Sequence, residues 1–271
     1  MKKEIVLPAI AWLGGIGGFI LRRLELATAY DPQLRLMDTV PATWALYGLG
    51  AVLLVLFALL CRPMERRNPE QWFYAPATGY ILLTVSSGFV LLLAALAGFW
   101  EQKDLYGKDM VLMLTYALCG VGGVTILMTG RSIYRGRWSP EIPMALMMPA
   151  FAVLAWLVAG YQQHARQPEV GLFMWQILAG VAVVLALYGL VSLSLGKGGA
   201  SSTCTAGLMG ISLSLITLAD GHRLVFNLIL LFAVIYLTAQ TFMLLRSAFW
   251  APWPEPMPRD TEENEQNHTE E

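Results

Sequence analysis

Eight times along this chain, charge all but disappears for about twenty residues. The apolar runs cover approximately 4–22, 42–61, 76–100, 110–130, 143–161, 171–195, 203–219 and 223–245. A helix needs about 20 apolar residues to cross a hydrocarbon core of about 30 Å. Each run is bounded by charge, Pro or Gly, and none alternates with period two, which speaks against a transmembrane barrel. Backbone groups in lipid must find their partners within the segment, so the expected fold is an all-α, polytopic bundle of eight transmembrane helices with no soluble domain. Composition agrees: charged residues make up 14% of the 271 and hydrophobic ones 56%, whereas a soluble domain carries about 25% charge.

The formal net charge of −1 hides an asymmetry. Residues 1–250 form a mildly basic transmembrane domain, and 251–271 a Pro-rich and then acidic tail, expected to be disordered and cytoplasmic. Its Asn267-His268-Thr269 spells a glycosylation sequon, without meaning on that side. Orientation follows the basic residues near span ends. Eleven of the eighteen lysines and arginines fall at the N-terminus, the even-numbered loops and the C-terminus, among them Lys2, Lys3, Arg62, Arg131, Lys197 and Arg246. Both termini therefore read as cytoplasmic, in the plasma membrane of a prokaryotic cell. Arg22 and Arg23 lie on the face that this bias makes poor in basic residues.

The stretch "GGIGGFILRRLELATAY" has three competing readings: a phosphate-binding loop, a secretory signal and a membrane helix. A dinucleotide loop would need Gly at 15, 17 and 20 after a strand, but residue 20 is Ile. A phosphate-binding P-loop would need Gly-Lys-Ser/Thr where Phe19-Ile20 stands. The membrane reading explains the spacing instead: Gly14 and Gly18 form a GxxxG face on which another helix backbone can approach closely, widened by Gly15 and Gly17. Gly120, Gly122 and Gly123 repeat the device in the fourth run, and Ala206 and Gly210 in the seventh. Such faces serve packing within the chain, with homo-oligomerisation as the sharper alternative. Ala27-Thr28-Ala29 imitates a signal-peptidase site. Arg22 and Arg23 sit where such a site tolerates positive charge poorly, so an uninterrupted, retained helix from about Pro8, in its first turn, to Tyr30 is expected.

Chemistry is sparse. The histidines are His164, His222 and His268, none inside a run, so axial ligands for an intrinsic haem b are not expected. No other cofactor is evident. Cys61, Cys119 and Cys204 form no CxxC pair, and no metal site is expected. Neutral polar residues within the runs, Gln176 and Asn227 above all, should face the bundle interior. One constellation stands out. If the first, seventh and eighth runs are neighbours, Arg22, Arg23 and Glu25 meet Asp220, His222 and Arg223 in a polar mouth, where His222 could titrate near neutral pH. No catalytic constellation is present.

Three classes of function remain. A membrane anchor or accessory subunit, docking a membrane or cytoplasmic protein partner through basic loops and acidic tail, is favoured. A permease for a small neutral or anionic solute is the alternative, and a membrane-embedded enzyme comes last. In span count, and in no motif, the chain resembles the quinol-interacting membrane anchors of some bacterial oxidoreductases. The lipid bilayer is the one obligatory neighbour, and no nucleic-acid partner is expected.

Overall fold

The computed structural model describes residues 3–31, 36–37, 40–62, 64, 68–102, 109–137, 139–164 and 170–249. The acidic tail at 251–271 lies outside them. Eight long helices account for the eight apolar runs: α1 (Lys3–Ala29), α2 (Pro41–Leu60), α4 (Thr78–Gln102), α5 (Met110–Tyr134), α6 (Ile142–His164), α7 (Val170–Ser194), α8 (Ala200–Thr217) and α9 (Leu224–Phe249). A four-residue helix α3 (Pro69–Trp72) sits between α2 and α4, and a 3-10 turn (Leu218–Asp220) follows α8. Two-residue strands β1 (Tyr30–Asp31) and β2 (Leu36–Met37) pair antiparallel after α1.

Local chemistry explains the boundaries. Pro41 opens α2, where its fixed φ suits a first turn and its missing N–H costs nothing. The Asp109 carboxylate caps α5 by accepting from the Val111 N–H at 3.1 Å. Gly136, Gly196 and Gly221 adopt positive φ after α5, α7 and the 3-10 turn, a conformation disfavoured by a Cβ. One boundary departs from expectation: α1 begins at Lys3, so Pro8 lies beyond the first turn and inside the helix. With 27 residues, α1 is about 40 Å long at 1.5 Å per residue, longer than the hydrocarbon is thick.

Helices α4, α5, α6 and α7 pack in sequence as antiparallel neighbours, and α8 and α9 close the bundle between α7 and α4. Helix α9 touches α1, α4, α7 and α8 and is the central post. Its Phe232, Val234, Leu237, Ala239, Met243 and Leu245 are wholly enclosed. Helices α1 and α2 lie outside this body, α1 against α8 and α9, and α2 against α1 and α8. Helix α2 is the rim, with Trp44, Val52, Val55 and Leu59 exposed where acyl chains would cover them.

Glycine sets the closest approaches. An added Cβ at Gly123 would lie 2.7 Å from Leu92 Cγ and 3.0 Å from the Gly88 carbonyl oxygen, so α4 and α5 cross backbone to backbone. Gly15 meets Leu215 and Gly18 meets Ile216 on α8, while Gly14 faces Leu53 on α2. Gly120 differs. A Cβ there would sit 3.7 Å from that of Ala95, an ordinary contact, so this glycine is not what brings the helices together. Gly17 has open space around its Cβ position.

Candidate functional site

The far end of α1, the 3-10 turn and the start of α9 bring four ionisable side chains together, away from the face where Lys3 and Phe249 lie. Arg22 Nε donates to Asp220 Oδ1 at 2.6 Å, and Arg22 Nη1 to Glu25 Oε2 at 2.8 Å. His222 Nε2 lies 3.7 Å from the other Asp220 oxygen. These side chains are sealed from solvent, with exposures of 1% for Arg22, 2% for Glu25, 5% for Asp220 and 8% for His222. Asn227 Nδ2 donates to the His222 carbonyl at 3.1 Å and holds the turn against α9. The His222 ring also leans on Phe226, which meets Trp156 edge to face.

Helical geometry decides which predicted residues join. Arg22 and Glu25 are three apart and share a face of α1. Arg23 points elsewhere: it is exposed, with its guanidinium over the Phe19 ring at 5.7 Å. Arg223 is also exposed. Of the six residues expected at a mouth, four therefore form a closed cluster and two remain outside it. One guanidinium faces two carboxylates, with the His222 ring beside the Asp220 carboxylate. The turn itself depends on Gly221, at φ +67°. Gly221→Ala should lower the melting midpoint in detergent by about 2–4 °C through left-handed strain. Gly221→Asn should lose less, since Asn tolerates that conformation better.

The opposite end of α1 carries a second pair that the sequence reading missed. Glu4 is buried, and its Oε1 lies 3.9 Å from Arg246 Nη1 on the last turn of α9. The signal was available: a carboxylate in the first turn of the first span and an arginine in the last turn of the last must share a face when the spans number eight. Between the two ends, Trp12 Nε1 donates to Thr238 Oγ1 at 3.0 Å and Ser212 Oγ to the Ala11 carbonyl at 3.0 Å. Gln176 is buried, as a costly amide in lipid should be, and Asn227 is half-buried. Among the described residues, no group of three His, Cys, Asp or Glu side chains could hold a metal ion.

Searches against models of known protein families, curated proteins and solved structures each return no match. Fold and composition define the class: a multi-pass membrane protein built as an eight-helix bundle.

Proposed function

We propose that this chain is a membrane anchor or accessory subunit, the static embedded part of a larger assembly, with both termini cytoplasmic in a prokaryotic plasma membrane. The observation that carries this reading is the fastening of α1 to the α8–α9 unit along its whole length. An ion pair ties it at each end, at Glu4–Arg246 and Arg22–Asp220, with the Trp12–Thr238 and Ser212–Ala11 hydrogen bonds between. A carrier works by moving helices past one another around a site. This arrangement instead resists sliding of α1, and the enclosed apolar surroundings of α9 give the same support. A partner protein would then engage the basic cytoplasmic loops or the acidic tail.

Purification from native membranes in mild detergent tests the proposal. A stoichiometric partner is expected. It should be retained when Trp12→Cys and Thr238→Cys are crosslinked, since a scaffold does not need α1 to move. A chain that purifies alone, without any partner, overturns the reading.

The permease alternative has an observation of its own, the buried ionisable cluster of Arg22, Glu25, Asp220 and His222, because ionisable groups inside membranes commonly mark solute or proton paths. Solute uptake abolished by the Trp12–Thr238 crosslink would favour it.

A further inference from the structure

We propose that the groove between the end of α7 and the start of α8 binds the phosphate-bearing headgroup of an anionic phospholipid. The groove encloses about 360 Å³ and is lined by Leu185, Tyr188, Ser192, Lys197, Ser202 and Thr203, among others. It opens on the face that carries the start of α1 and the end of α9, where α7 ends and α8 begins.

Its polarity is graded along the membrane normal. Lys197 and Ser202 lie at or just beyond the helix ends, while Leu185 lies nine residues before the last residue of α7, about 13 Å deeper at 1.5 Å per residue. Leu185 and Tyr188 are 54% and 66% exposed and belong to the lipid-facing surface of the bundle. Among the described lining residues Lys197 is the one that carries charge, and it is positive. A molecule that covers both zones has an anionic head at the interface and a hydrocarbon chain below it. A soluble phosphate would meet only the upper part, leaving Leu185 and Tyr188 to other lipid.

The turn that presents the lysine is rigid. Lys197 N–H and Gly198 N–H both donate to the Ser192 carbonyl, at 2.9 and 3.0 Å. Gly196 takes φ +73°, and a Cβ at Gly198 would lie 2.7 Å from the Leu193 backbone nitrogen. The Ser202 and Thr203 hydroxyls donate back to the Gly199 carbonyl at 2.9 Å each, so their protons are committed within the helix and the lysine is the principal anchor. The first amides of α8, which has no side-chain cap on Gly199, add a favourable field for negative charge.

Native mass spectrometry of the intact protein, taken from nanodiscs of phosphatidylcholine doped with phosphatidylglycerol, tests the site. Wild type should retain one phosphatidylglycerol through delipidation. Lys197→Gln should reduce that occupancy about fivefold, the effect of one basic residue near an anionic headgroup, without changing the melting midpoint. Arg223→Gln on the opposite face should leave occupancy unchanged. Equal retention by wild type and Lys197→Gln overturns the proposal. So does displacement of the lipid by inorganic phosphate, which would assign the groove to a free anion.

Discussion

Arg22→Ala should destabilise the protein by about 3–5 kcal/mol, because it leaves the Glu25 and Asp220 carboxylates buried without the cation they share. In a detergent melt this is a fall on the order of 10 °C. Arg23→Ala, one residue away but exposed, should stay within about 0.5 kcal/mol of wild type. The contrast isolates burial from charge, since both variants remove one arginine from the same helix. A triple variant, Arg22→Met with Glu25→Gln and Asp220→Asn, should recover most of the loss: no uncompensated charge then remains among the three. Equal melting of Arg22→Ala and Arg23→Ala would mean that the buried cluster does not hold α1 in place.

The second large effect is expected at the crossing of α4 and α5. Gly123→Leu must place a branched side chain where one Cβ already comes within 3.0 Å of the Gly88 carbonyl. Backbone cannot yield as a flexible side chain does, so the two helices must separate, at a cost of about 3 kcal/mol or more. Little folded protein should be recovered in mild detergent. Gly120→Ala, three residues earlier on the same helix, finds its nearest neighbour at 3.7 Å and should melt within about 1 °C of wild type or slightly above it, since Ala favours the helix over Gly. Size-exclusion profiles and melting curves of the two variants check both expectations.

The span count and most span ends were legible because the requirement is nearly one-dimensional. Twenty apolar residues followed by a charge, a proline or a glycine leave a helix little freedom about where to stop. The order of layers was harder to read. Helices α2 and α9 are both strongly apolar, yet one is the rim and the other, which buries Gln240 and Thr241, is the centre. In lipid, an outward leucine and an inward leucine look the same, so hydropathy cannot separate them. Helix α8 held a usable clue, because Gly207, Gly210, Ser212 and Ser214 suit close helix contacts better than lipid, and all four are buried.

The candidate site was legible to the extent that local geometry could carry it. The i, i+3 spacing puts Arg22 and Glu25 on one face, and Asp220-Gly221 marks a turn. That Arg23 stays outside follows from the facing of α1 against α8, which only the assembled bundle defines. Glu4 escaped because an acidic residue at a span boundary reads as the boundary itself. Its burial depends on α9, more than two hundred residues downstream, ending beside it.

The position of α9 also has a consequence for biosynthesis. The central post follows the other seven spans in chain order, so α1, α4, α7 and α8 enter the bilayer before the surface they share exists. Helices α4 and α5 can pair early through Gly88 and Gly123, but the Trp12 and Glu4 contacts must wait until residues beyond 237 have been made. Assembly of this bundle therefore waits for α9. A chain interrupted before residue 224 would leave a ring of inserted helices without its keystone, exposed to membrane quality control.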